Sequence, residues 1–371
     1  MDQQAAIVEH QSLPLIDVSG QPEARGRSYG EQASDRIALG IAYYRSAFDA
    51  LGISWDQACG TAGSFIDKLG AELPEMLTET RGIAAGAGVD VEEILALNCR
   101  TEIIYGRSGD SGKPTDGCTG IIALPEATSS GHLLQGQNWD WRDECADTAV
   151  VVRITTDDGH QILTQTEAGI LARCGLNSSG IGLTGNFLKC ERDNSPGGIP
   201  IPFVRRRILE QTSFYDAMEV AINTPKSFST NLMISDAGGE CINFEAVPGE
   251  TFWLQPDNGV LVHANHFESA GAQAKVQDLG MLVTPCTLYR GRRVREFMQK
   301  ATGRIDLGSF RDILSDKYGN PSAVCADPDT EACGVTWSTV ATILMDVTER
   351  TMWVAPRPYT EHSYTRYDLV H

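Results

Sequence analysis

The run Thr115-Asp116-Gly117-Cys118-Thr119-Gly120 leads straight into an apolar stretch, Ile121-Ile122-Ala123-Leu124. The next strand-like stretch ends in an Asn/Asp-bearing tip, Gly136-Gln137-Asn138-Trp139-Asp140-Trp141. If the Gly117–Cys118 bond is cut, Cys118 becomes a chain terminus carrying both a thiol and a free α-amine. One residue then holds a nucleophile and its own base. A free thiol has a pKa of about 8.5, which positive charge nearby lowers. An α-amine titrates at roughly 7.7–8.0, so it accepts a proton readily near neutral pH. Gly117 suits the cut, because a residue without a Cβ permits the tight backbone in which sulfur reaches the preceding carbonyl. Without a cut, a cysteine at a strand start is simply a small buried residue.

Acyl transfer through sulfur passes through tetrahedral intermediates, which need donors aimed at the developing oxyanion. Asn265, at the end of Leu261-Val262-His263-Ala264-Asn265-His266-Phe267, is the first candidate. Asn at a strand end is also ordinary turn chemistry. Asn186, in Leu183-Thr184-Gly185-Asn186-Phe187, is a second candidate donor, and backbone N–H groups would serve equally well. Trp139, Trp141, Tyr105, Phe187 and Phe267 are candidates to line an acyl pocket, a role aromatic residues share with plain core. The pair His263 and His266 reads as a strand end rather than a zinc site, and neither metal nor cofactor is expected.

A chain of 371 residues can bury a large core, as one big domain or two. The net charge of −19 argues against nucleic acid as the main partner, since phosphate binding needs basic surface. An anionic small substrate is not excluded, because basic clusters survive at Arg205-Arg206-Arg207 and Arg290-Gly291-Arg292-Arg293. The first residues lack a basic region and a long apolar stretch, and so do not read as a signal peptide. Ten cysteines without paired spacing argue against a disulfide framework, and a reducing cytoplasm is the expected home.

The chain changes character near residue 110. Ahead of it the apolar period is helical, over 25–51, 55–69 and 73–87, then from an Asp90 N-cap with Glu93 in the capping-box position through Ile104. Residues 106–117 read as a loop. After Cys118 the period is that of strands, over 118–124, 132–137, 149–155, 160–165, 180–183, 231–235, 241–246 and 259–263. Helices are expected at 203–211, 215–222, 289–301 and 307–314, and the chain closes with an antiparallel pair, 338–345 and 351–355. Such runs of strands and runs of helices argue for a layered α+β domain, not a doubly wound parallel sheet.

In order, Asp116-Gly117-Cys118-Thr119, Gln137-Asn138-Trp139-Asp140, Gly175-Leu176-Asn177-Ser178-Ser179-Gly180-Ile181-Gly182 and His263-Ala264-Asn265-His266-Phe267 resemble the peptidase C45 family, that of acyl-coenzyme A:6-aminopenicillanic acid acyltransferase. Thr339–Asp346, with Tyr367-Asp368-Leu369 beyond, fits the same pattern. The resemblance runs from about residue 15 to about 370. It implies an N-terminal-nucleophile hydrolase fold, a four-layer αββα sandwich. It also implies a precursor that cleaves itself at Gly117–Cys118. Residues 1–117 would stay bound as a helical small subunit, and 118–371 would form the catalytic part. The activity implied is acyl transfer from a linear amide or an acyl-CoA thioester to an amine or to water, through an acyl-thioester on Cys118. The resemblance further implies that Asp140 orients the α-amine, that Asn265 stabilises the oxyanion and that Arg290 stands beside the thiol. Thr287 stands where the family usually has a serine, which leaves Arg292 and Arg293 as alternatives to Arg290.

Two other readings compete. One is an uncleaved, non-catalytic binding protein of the same fold. The other is a papain-like Cys/His hydrolase using His132 or His263, neither of which sits in that family's signature.

Overall fold

The computed structural model describes residues 12–106, 117–330, 335–360 and 363–369. Thr115, Asp116 and nearly all of the loop expected at 106–117 lie outside the described residues.

The N-terminal segment is not wholly helical. It enters as a strand, β1 (Leu15–Ser19), whose alternating exposure marks a sheet edge, and which pairs in parallel with the strand Ala149–Thr155. The helix expected over 25–51 is two helices, α1 (Pro22–Gln32) and α2 (Ser34–Ala50), parted at Ala33. The helix expected over 55–69 is likewise split into α3 (Trp55–Gly63) and α4 (Ile66–Glu72). Apolar periodicity continues across a break of one or two residues, so it cannot reveal a change of axis. α5 (Pro74–Ala87) starts on its proline and stops at left-handed Gly88, φ 70°. α6 (Val91–Asn98) is capped by Asp90, whose N–H donates to the Glu93 carboxylate at 3.2 Å. α7 (Arg100–Tyr105) follows after a break at Cys99.

α1 and α5 touch backbone to backbone. Gly26 and Gly30 of α1 face Gly82 and Gly86 of α5, and a Cβ on any of the four would collide with main-chain atoms of the other helix. Small residues four apart on both helices permit this approach.

Beyond the junction come β2 (Thr119–Ala123), β3 (Leu134–Arg142), β4 (Ala149–Thr155), β5 (Gln161–Glu167), β6 (Cys174–Asn177) and β7 (Ile181–Thr184). Two helices, α8 (Ile201–Leu209) and α9 (Phe214–Asn223), precede β8 (Thr230–Asp236), β9 (Glu240–Val247), β10 (Glu250–Leu254) and β11 (Val260–His263). Then come α10 (Ala270–Lys275), α11 (Gly280–Val283), α12 (Thr287–Lys300) and α13 (Leu307–Leu314). The last strands are β12 (Asp329–Thr330), β13 (Thr336–Asp346), β14 (Thr351–Pro356) and β15 (Thr365–Asp368).

These strands make two sheets, ordered β1-β4-β5-β6-β7-β8-β9-β10 and β11-β2-β3-β13-β14-β15, with β12 paired to β13. The N-terminal helices, α8 and α9 share one core with the first sheet and the inner face of the second. On the second sheet's outer face, Ile121, Ala123, Leu134 and Val262 pack against Val294 and Met298 of α12 and Phe310 and Leu314 of α13. The result is the expected four-layer αββα sandwich. The sheets also meet through polar groups. Gln135 donates to Thr184 Oγ1 at 2.9 Å, and Gln137 donates to Gly185 O at 2.7 Å. None of the described helices is long and apolar enough to cross a membrane.

The α1–α5 contact yields a test. Gly30→Leu should lower the thermal midpoint by several degrees, since overpacking costs about 1–3 kcal/mol and each kcal/mol is worth about 2 °C or more in a large domain. Gly60→Ala, in open space on α3, should raise it slightly. Equal midpoints for the two variants would refute the backbone contact.

Candidate active site

Side chains alternate along a strand, and that period sets the geometry at the junction. On β2, Gly120 faces the first sheet, against Met233, while Ile121 faces α12 and α13. Cys118 has the parity of Gly120, and Gly117 and Thr119 that of Ile121. The sulfur accordingly lies between the sheets, and Gly117 and Thr119 address α12.

Arg290 reaches out of α12 to meet them. It is 1% exposed, and its Nη1 donates to Gly117 O, to Cys118 O at 3.0 Å and to Thr119 Oγ1 at 2.9 Å. Nη2 donates to Asn265 Oδ1 at 2.9 Å. Arg292 pairs on the surface with Glu296, and Arg293 pairs with Asp316 and lies over the Tyr318 ring. Of the three arginines it is therefore Arg290 that faces the junction, but on the carbonyl oxygens rather than beside the sulfur. Thr287, in place of the usual serine, accepts from Asn265 N at 2.7 Å through its hydroxyl, so the departure keeps a hydroxyl where one is used.

Asp140 is not at a hairpin tip. β3 continues to Arg142, and Asp140 lies opposite Thr339 of β13, beside a register shift between Thr339 and Ala341. Such bulges re-aim side chains near functional sites. Thr339 Oγ1 donates to Asp140 Oδ1 at 2.6 Å and accepts from Ala326 N at 2.8 Å. The other oxygen of Asp140 abuts Gly117 so closely that a Cβ there would stand 2.5 Å from it. No larger residue fits at 117 without moving Asp140.

The two asparagines are occupied differently. Asn265 donates from Nδ2 to Phe187 O at 3.0 Å, which leaves that amide a second hydrogen. Asn186 accepts from Gln137 at 2.6 Å and donates to His263 O at 2.9 Å, tying the end of β7 to β3 and β11. Neither lines a cavity at the junction.

Two cavities flank the bond, with no described lining residue in common. One of about 680 Å³ opens beside Gly117, Asp140 and Arg290, walled by Pro285, Tyr289 and Trp337 among others. One of about 50 Å³ adjoins Cys118 and includes Trp139, Trp141 and Phe187. Tyr105 packs on Phe187, ring centroids 5.0 Å apart, without lining the space itself. Phe267 belongs to a separate cluster with Leu188, Val247 and Phe252, so its expected place in an acyl pocket is corrected to core.

The sequence reading missed Arg173. Its Nη2 donates toward Cys118 Sγ at 3.5 Å, and its guanidinium lies 4.5 Å from the centre of the Trp139 ring. Arg205 lines the same cavity, and burial with Arg173 nearby pulls it down to about 10. A signal was present. Arg173 is the one charge in Ala168-Gly-Ile-Leu-Ala-Arg-Cys-Gly-Leu176, and a charge inside a buried run needs a task.

Behind Asn265 lies a buried ion pair. His263 Nε2 is 2.9 Å from Glu245 Oε1 and Nδ1 is 2.9 Å from Ala264 O. Both neighbours only accept, so both ring nitrogens donate and the ring is an imidazolium. Burial pulls His263 down, but Glu245 outweighs it and leaves the pKa raised. Burial pushes Glu245 up, but His263 and Ser269 leave it lowered. Among the described residues no group of three His, Cys, Asp or Glu could hold a metal ion.

Two sheets between helical layers make an αββα sandwich of the N-terminal-nucleophile hydrolase type, a fold of acyltransferases and amidohydrolases. Residues 127–357, more than half of the chain, match the acyl-coenzyme A:6-aminopenicillanic acid acyl-transferase family, and the chain belongs to it. The 40 kDa form of acyl-coenzyme A:6-aminopenicillanic-acid-acyltransferase from Emericella nidulans is 28% identical over 327 residues, 84% of either chain. Among solved structures, a variant of the conjugated bile acid hydrolase of Clostridium perfringens is 16% identical, with a TM-score of 0.48, over 68% of this chain and 92% of that one. Penicillin V acylase from Agrobacterium tumefaciens is 13% identical, with a TM-score of 0.41, over 64% of this chain and 83% of that one. Both structures are too distant to speak to chemistry.

The ion pair predicts a pH window. The share of His263 is complete below the free imidazole value of about 6.5 and fades as pH rises through its raised folded value. The share of Glu245 is complete above about 4.3 and fades as pH falls through its depressed one. His263→Gln should cost about 3 kcal/mol at pH 6 and flatten the alkaline fall in stability. Thermal midpoints at pH 6 and pH 9 check this, and parallel falls in both proteins would remove the charge from His263.

Proposed function

We propose that the chain cuts itself between Gly117 and Cys118 and then works as a cysteine acyltransferase or amidohydrolase. The observation that carries this reading is the convergence of Arg290, Asp140 and Arg173 on one peptide bond. In the cut, Cys118 Sγ attacks the Gly117 carbonyl carbon, whose oxygen already accepts from Arg290. The tetrahedral adduct collapses by breaking the C–N bond, which leaves residues 1–117 as a thioester on sulfur and frees the Cys118 amine. Water then hydrolyses the thioester, giving the Gly117 carboxylate and the thiol.

In turnover the α-amine takes the thiol proton, and Asp140 holds the resulting ammonium by a charge-assisted bond. Sulfur attacks the acyl carbonyl of an amide or an acyl-CoA thioester. The spare N–H of Asn265 stabilises the oxyanion, and the proton passes to the leaving group. An amine or water bound in the larger cavity then takes the acyl group.

After the cut, residues 1–117 stay bound as a small subunit. Its hold comes from β1 on β4, from Glu79 on Arg206 at 3.0 Å and from Arg100 on Glu167 at 3.1 Å.

Intact mass spectrometry tests the reading. The 40.2 kDa chain should resolve under denaturing conditions into fragments of about 13 and about 27 kDa, the larger beginning at Cys118. Cys118→Ala should remain whole and inert. An active wild-type protein that stays uncut would overturn the mechanism, and an uncut, inert one would favour the binding-protein reading. Asn265→Ala should lower kcat by about 10²–10³. An unchanged kcat would move the oxyanion role elsewhere.

A further inference from the structure

Among the described residues, the cavity beside Cys118 holds more positive charge than its neighbours neutralise. Among the described residues, Arg100, Arg173 and Arg205 line it, and no carboxylate does. Arg100 is matched by Glu167. Among the described residues, Arg173 and Arg205 meet no carboxylate. Arg173 donates to Gln137 Oε1 at 3.5 Å, to Cys174 Sγ at 3.6 Å and to Cys118 Sγ. Arg205 packs against Gly185, and its buried Nε has no hydrogen-bond partner among the described residues. Of the three consecutive arginines that begin at 205, Arg206 is consumed by Glu79 and Glu210. Arg205 is the one that turns to the nucleophile.

Burying unpaired cations is expensive, and two neighbouring guanidinium groups add mutual repulsion. A thiolate on Cys118 would offset one charge and leave one over. Guanidinium groups match carboxylates with two parallel hydrogen bonds, which is the best use of a planar donor fork. The space is small, about 50 Å³, so the group that enters is short.

Resting on the reading of Cys118 as nucleophile, we infer that the acyl group accepted here carries a carboxylate a few bonds from its carbonyl, held by Arg173 and Arg205. Both arginines bind, and neither forms a bond. The Sγ–C bond of the thioester forms as the donor's C–N or C–S bond breaks, and the proton goes to the departing amine or thiol. The larger cavity, with no described residue in common, serves the departing and accepting groups.

The test compares N-acetylcysteamine thioesters of succinic acid, of its monoamide and of pentanoic acid, read as kcat/KM for thiol release by the purified protein. The succinyl thioester should exceed both neutral ones by at least tenfold. Arg205→Met should erase the ratio and Arg205→Lys should retain part of it. The wild-type ratio stands alone if a variant does not fold. Equal rates for charged and neutral thioesters, with an adduct on Cys118 by intact mass, would overturn this inference and leave the nucleophile in place. Turnover with no adduct on Cys118, and undiminished in Cys118→Ala, would overturn the nucleophile instead. A further arm compares N-butyrylglycine with its amide. A tenfold preference for that carboxylate, with none for succinyl, would put the anion on the departing amine and overturn the acyl-side assignment.

Discussion

One guanidinium holds the centre of this molecule together. Arg290 joins the backbone on both sides of the Gly117–Cys118 bond, the hydroxyl of the next residue and the side chain of Asn265. Those groups come from the entry to β2, from the end of β11 and from α12. With the arginine buried, each acceptor it loses would leave a desolvated donor behind, so the arrangement is held as a unit. The position of the carbonyl at 117, the orientation of Asn265 and the start of α12 are therefore one constraint, not three. Thr287 completes it from the helix side by accepting from Asn265 N.

Around that centre the sandwich sorts chemistry by strand parity. The face of β2 toward α12 gathers groups that bind carbonyl oxygens. The face between the sheets gathers sulfur, aromatic rings and cations that meet no carboxylate among the described residues. β3 repeats the division. Gln135, Gln137 and Trp139 point between the sheets, while Asn138 binds Leu314 O and Val324 O on the helix side. Two neighbouring residues thus open onto two separate cavities with no swing of the backbone.

Much of this was legible in the chain. β4, in which five of seven residues are β-branched, and α13, with Asp306 at its head, fall where the sequence pattern puts them. Cys118, Asp140, Asn265 and Arg290 were all named from motif and order. What escaped had physical causes. Splits at Ala33 and Cys99 leave the helical period intact. β1 was not expected ahead of the helices, and β6 overlaps residues 175–182, a run that carries the family resemblance rather than an apolar pattern. Asp140 resembled a turn because the bulge that continues β3 past it belongs to β13, some 200 residues away. Arg173 has no local partner to advertise it. Its meaning comes from a sulfur 55 residues earlier and from Arg205 on a helix.

β1 has a consequence for the larger segment. It forms the outermost strand of the eight-stranded sheet and covers one edge of β4, whose sequence is Ala149-Val-Val-Val-Arg-Ile-Thr155. Without β1 that edge would present open backbone donors and acceptors beside three valines, a template for strand addition by other chains. The N-terminal piece thus acts as a guard against aggregation, and residues 118–371 produced alone should be sticky before they are anything else.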